Sequence, residues 1–110
     1  LLWCHSRLPR PELRMLQDAS APTILLLPPA LLEQVTEGQS PPHVSCLATT
    51  GEVRDLLTLL HSQGIESLLV EGGAQVLQRF LDAGLYDEIN VEHAPVELHE
   101  GVLAPHLERW

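Results

Sequence analysis

The sequence predicts an α/β domain, a mostly parallel sheet flanked by helices. Three observations predict it. Short apolar runs bounded by proline or glycine alternate with amphipathic stretches along the chain. Two of those stretches carry apolar residues at helical spacing and end at a glycine. The hydrophobic share of 45% can fill a core, and with aromatics at 4% that core is built from Leu, Val, Ala and Ile.

The elements follow in order. Pro11 to Gln17 reads as a short helix, with Leu13 and Leu16 on one face. Thr23 to Leu27 lies between Pro22 and Pro28-Pro29 and suits a strand buried on both faces. Ala30 to Thr36 reads as a second short helix, with Gly38 near its end. Gln39 to Pro42 is a loop, and His43 to Ala48 a second strand. Val53, Leu56, Leu57 and Leu60 keep the i, i+3, i+4, i+7 pattern of a strong helix, with Thr50 or Gly51 as its cap and Gly64 as its stop. Ile65 to Val70 reads as a third buried strand. Ala74 to Ala83 is a helix with Val76, Leu77, Phe80 and Leu81 inward and Gly84 at its end. Asp87 to His93 reads as a fourth strand ahead of Pro95. Strands separated by helices imply parallel pairing with right-handed crossovers.

Charge narrows the function classes. The net charge is −9, and all six basic residues are arginines, set against fifteen acids. That balance leaves no basic stripe for nucleic acid or anionic lipid. There is no apolar run long enough to span a bilayer and no basic segment ahead of an apolar one. Cys4 and Cys46 lack the density of a disulfide scaffold and read as free thiols in a reducing cytoplasm. The chain opens on Leu1-Leu2-Trp3 without a methionine, which reads as a cut edge.

The chemistry concentrates in Ser67-Leu68-Leu69-Val70-Glu71-Gly72-Gly73-Ala74. A carboxylate stands at the tip of an expected strand, two glycines turn the chain, and a helix begins. Amides at a helix N-terminus, at the positive end of its dipole, receive an anion such as phosphate. Glycines there keep β-carbons out of the way of a pyrophosphate. In parallel sheets, ligands bind beyond the carboxyl ends of the strands, where this turn is expected to lie. Read alone, two glycines are also what a tight strand–helix turn uses to relieve strain, and G-x-G-x-x-G is absent.

The run from Gly64 through Glu71-Gly72-Gly73-Ala74 and Phe80-Leu81-Asp82-Ala83-Gly84-Leu85-Tyr86-Asp87-Glu88-Ile89 to Ala94-Pro95 resembles a known family. It is similar to the C-terminal reductase domain of the bifunctional riboflavin-biosynthesis deaminase–reductase. Fainter likeness extends to Arg7-Leu8-Pro9 and Pro22-Thr23-Ile24-Leu25. The resemblance implies a dihydrofolate-reductase-like three-layer fold. It also implies reduction of 5-amino-6-(5-phosphoribosylamino)uracil to its ribitylamino form, with NADPH delivering hydride to C1′ of the opened ribose. On it, Glu71 contacts the substrate, Gly72 is the turn, and Gly73, Ala74, Gln75, Val76 and Leu77 hold the NADPH phosphates. No residue is singled out as the proton donor. Relatives resemble dimers, so a homo-oligomer is implied as well.

The same resemblance makes residues 1–110 a truncated reductase domain, its NADPH-binding half, with no counterpart of the deaminase. Trp3 stands where the family carries an aspartate. Pro28 falls near a Ser or Thr that helps hold NADPH, and Val96 to Gly101 replaces a glycine-rich ending. These departures support a second expectation, a degenerate module that folds and self-associates without turnover. Elsewhere, Glu92, His93, Glu97, His99 and Glu100 match no zinc spacing and read as a solvated loop. His5, His43, His61 and His106 read as surface residues, and Cys46 as a small buried hydrophobe in a strand.

Overall fold

The computed structural model describes residues 1–5, 7–35 and 41–107. The expected helix end at Thr36 and Gly38 and the loop residues Gln39 and Ser40 lie outside these. The chain divides into two compact units, Leu1–Leu59 and Leu60–Trp110.

The first unit holds a three-stranded parallel sheet in the order β1 (Leu2–Trp3), β2 (Thr23–Leu27), β3 (Val44–Ala48). In register, Leu2 faces Leu25, and Thr23 through Leu27 face Val44 through Ala48. Backbone bonds extend both ladders: the Cys4 N–H donates to the Leu26 carbonyl at 2.9 Å, and the Thr49 N–H to Leu27 at 2.8 Å. The central strand is the apolar run between prolines, as expected. Its Leu25, Leu26 and Leu27 are 6%, 1% and 0% exposed, so both of its faces are covered.

Two single-turn helices sit beside the sheet, α1 (Arg14–Gln17) and α2 (Pro29–Leu32). Alternation puts Leu25 and Leu27 on one face. There Leu16 from α1 and Leu31 from α2 complete a core with Cys4 and Val44. The Thr23 hydroxyl donates to the Met15 carbonyl and pins the start of β2 to α1. Pro29 opens α2 at a position where a missing N–H costs nothing.

Helix α3 (Val53–Ser62) carries the boundary between the units. Its start is fixed by Thr50, whose Oγ1 accepts the Glu52 N–H at 3.2 Å and donates to Asp55 at 2.6 Å. Val53, Leu56 and Leu60 are buried, as the sequence pattern requires. Gly64, at φ +84°, ends the helix by donating to the His61 carbonyl.

The second unit is built around α4 (Ala74–Ala83), with bounds identical to those expected. Here the structure corrects two assignments. Ile65 to Val70 forms no ladder, and Leu69 is 77% exposed; Asp87 to His93 likewise forms no ladder and is exposed throughout. β-Branched residues and apolar runs suit a strand only where a neighbouring strand accepts their hydrogen bonds. Among the described residues no partner strand meets either segment. A third correction adds an element: Leu2–Trp3, which carries no turn signals around it, pairs as β1.

Candidate functional site

The turn into α4 is the candidate site, and its geometry starts with Gly72. That residue adopts φ +146°, a region that side-chain-bearing residues avoid. Space is not the reason for glycine here. A β-carbon would meet only Val76 Cβ at 3.9 Å, an ordinary contact. The backbone angle demands glycine.

Gly73 differs. Its φ of −73° and ψ of 167° suit any residue, and a β-carbon built on it meets nothing within 4 Å. Neither strain nor packing explains the missing side chain. The void lies at the N-cap of α4, immediately before the first-turn amides.

Those amides belong to a helix start that the protein leaves without a side-chain cap and without an acid in the first turn. An α-helix gives its first N–H groups no internal partner, and its dipole adds positive potential there. Glu71, Gly72, Gly73 and Gln75 are exposed, while Ala74, Val76 and Leu77 are half-buried. The bend is therefore open to solvent, the condition that an anion-binding turn requires.

The helix behind the turn is held at both ends of its outer length. Phe80 is 7% exposed and anchors the inner face. Gly84, left-handed at φ 65°, donates to the carbonyls of Phe80 and Leu81 and stops the helix. Gln78 makes a link no local pattern announces. Its Oε1 accepts the His106 N–H at 2.5 Å, and its Nε2 reaches the His106 carbonyl at 3.3 Å and Asp82 at 2.9 Å. Twenty-eight residues separate Gln78 from His106, so spacing gives no signal of it.

The structure thus brings Glu71 and the residues Gly72 through Leu77 together on one turn and its helix. The rule that places ligands at strand ends does not apply to them, because Ile65 to Val70 is not a paired strand. Elsewhere, His43 is half-buried, not a surface residue, and its Nε2 is wholly enclosed. Among the described residues no three His, Cys, Asp or Glu side chains gather as a metal site. No helix among them is long and apolar enough to cross a membrane. Neither cysteine is in a disulfide; Cys4 is buried and Cys46 half-buried.

A three-stranded parallel sheet flanked by helices defines the class, an α/β protein. The chain belongs to the RibD C-terminal domain family, whose model matches residues 4–102. It is 44% identical over 55 residues to the riboflavin biosynthesis protein RibD of Bacillus amyloliquefaciens, covering 50% of this chain and 15% of that protein. It is 34% identical over 87 residues to the 2,5-diamino-6-ribosylamino-4(3H)-pyrimidinone 5′-phosphate reductase of Methanothermobacter thermautotrophicus, covering 78% of this chain and 40% of the relative. The chain thus spans less than half the length of either relative. No solved structure matches it.

Proposed function

We propose that this chain is the cofactor-binding part of a riboflavin-biosynthesis reductase that reduces the ribose of 5-amino-6-(5-phosphoribosylamino)uracil to ribityl, with NADPH. One observation carries the reading: Gly73 has neither a backbone nor a packing reason to be glycine, and the space it leaves stands before open helix amides. In this reading a dinucleotide's pyrophosphate occupies that space. Family membership and the reductase name of the archaeal relative support the substrate class, a pyrimidine ribose phosphate.

In this reading the residues have distinct tasks. Gly72 turns the chain, the amides from Gly73 through Val76 bind the cofactor phosphates, and Leu77, whose N–H donates to the Gly73 carbonyl at 3.3 Å, closes the first turn behind them. When bound, the cofactor supplies the hydride. Glu71, exposed beside the turn, orients a ribose hydroxyl or handles the accompanying proton. We place the protein in the cytoplasm, where free thiols persist, and propose that it works as a homodimer.

Titration with NADPH, followed by nicotinamide fluorescence, tests the reading. Saturable binding that Gly73→Asp abolishes is the expected result. Absence of binding at millimolar cofactor overturns it. That outcome would favour the second reading, a non-catalytic module, which the unpaired segments at 65–70 and 87–93 specifically support.

A further inference from the structure

Helix α4 is short and starts without local help. Its ten residues have no side-chain cap and no acid in the first turn, and Phe80 is its buried residue. A helix of that length is marginal in water unless outside contacts hold it, and it frays from its ends. The first bond of its ladder, from the Leu77 N–H to the Gly73 carbonyl, closes over the turn that the cofactor phosphates would occupy.

One contact from distant sequence steadies that start. The Gln78 carboxamide grips the backbone of a single residue twice: Oε1 accepts the His106 N–H at 2.5 Å, and Nε2 donates to the His106 carbonyl at 3.3 Å. A residue in an antiparallel ladder exchanges the same pair of bonds with its partner. Nε2 also donates to Asp82 Oδ1 at 2.9 Å, which fixes the carboxamide's orientation. Burial alternates around His106. Pro105 and Leu107 are half-buried, and Ala104 and His106 are exposed, the pattern of a strap laid with one side against a surface. Long side chains on a helix lean toward its N-terminus and cover the preceding turn. Ala74, four residues before Gln78 and on the same face, is half-buried, while Gly73 and Gln75 are exposed.

We propose that Gln78 is a positioning residue for the cofactor turn: by strapping residues 105–107 onto α4 it holds the first turn helical, so that strap closure and phosphate binding favour one another. This rests on the reading of the turn as a phosphate site. Helix formation is cooperative, so a residue fixed in the second turn lowers the cost of ordering the amides ahead of it. Phosphate on those amides orders the same segment from its other end. Two events that order one segment assist each other without touching, and the assistance is equal in both directions. It cannot exceed what the strap's two hydrogen bonds contribute, which sets it at about three- to tenfold.

Two variants break the grip from opposite sides. Gln78→Met keeps the length and helix propensity of the side chain but cannot bond the backbone. His106→Pro deletes the donated N–H and leaves α4 unchanged in sequence. Both are expected to bind NADPH about three- to tenfold more weakly than the parent, followed by nicotinamide fluorescence. Without cofactor, Gln78→Met is expected to speed amide exchange at Leu77 more than at Leu81. In the parent, saturating NADPH is expected to slow exchange of the His106 amide by the same factor, a rate that a merely structural contact leaves unmoved. Melting temperatures establish that each variant is folded, and where one is not, the other and the His106 exchange in the parent decide. Parental affinity in a folded variant, or a His106 amide indifferent to NADPH, overturns the coupling while the phosphate reading stands. No binding of NADPH to the parent overturns both.

Discussion

Two adjacent glycines have different physical reasons, and substitution separates them. Gly72→Ala forces a side chain into φ +146° and is expected to destabilise by about 1–3 kcal/mol, read as a lower melting temperature. Gly73→Ala meets no atom and no strain, so its unfolding free energy is expected to stay within about 0.5 kcal/mol of the parent. Weaker NADPH binding by that same variant would locate the ligand in the void. The cysteines give a second residue-level outcome. Burial, and then the proximity of Cys46, raise the Cys4 thiol above its ordinary pKa. Its alkylation rate is therefore expected to rise only at higher pH than that of a free thiol, and to lag until the protein unfolds. Asp18 shifts the other way, lowered chiefly by the Ser20 backbone amide, then by the Ser20 side chain and by His43. A lowered carboxylate adds stability above its unfolded pKa and loses it as pH falls through the folded one. The stability gap between the parent and Asp18→Asn should thus be present at neutral pH and close in strong acid. Asp18 is fully exposed, so that gap is small.

At the scale of the element, the two long helices show what sequence pattern can specify. Helix α3 is framed by Thr50 at its start and left-handed Gly64 at its end, and α4 by Gly73 and left-handed Gly84. Thr50→Ala removes an acceptor for the Glu52 amide and a partner of Asp55, and is expected to cost about 1 kcal/mol in denaturant titrations. Gly84→Ala places a β-carbon in the left-handed region at a cost of about 1–2 kcal/mol. The Gln78–His106 link joins α4 to a segment with no regular structure. Gln78→Ala is expected to speed hydrogen exchange at the His106 amide while leaving the mid-helix amides protected. Unchanged exchange at His106 would show that the link contributes nothing in solution.

For the whole molecule, burial is unevenly distributed. Leu27, at 0% exposed, is the best-packed side chain of the sheet, and Leu27→Ala is expected to cost about 2–5 kcal/mol. By contrast, Leu69, Val96, Leu98, Val102 and Leu103 are 69–91% exposed. Apolar side chains so arranged, on backbone without ladder partners, favour association. Sedimentation velocity is expected to show concentration-dependent self-association that Leu98→Glu with Val102→Glu reduces. A monomer at every concentration would remove the homodimer from the functional proposal.

The sequence by itself determined the elements whose cause is local. The apolar run between Pro22 and Pro28 became the central strand, and α4 took its expected bounds, because proline fixes φ and glycine admits positive φ wherever they stand. Glu71-Gly72-Gly73 was legible for the same reason: positive φ and an open helix start are properties of a few consecutive residues. Tertiary structure decided the rest. Ile65 to Val70 and Asp87 to His93 have strand-like composition, yet a strand exists only as a pair, and pairing depends on residues distant in sequence. The same holds for β1, which became a strand because β2 accepted it, and for His43, whose Nε2 is buried although nothing in the neighbouring residues requires it. Local angles are written in neighbouring residues; hydrogen-bond partners and burial are supplied by the fold.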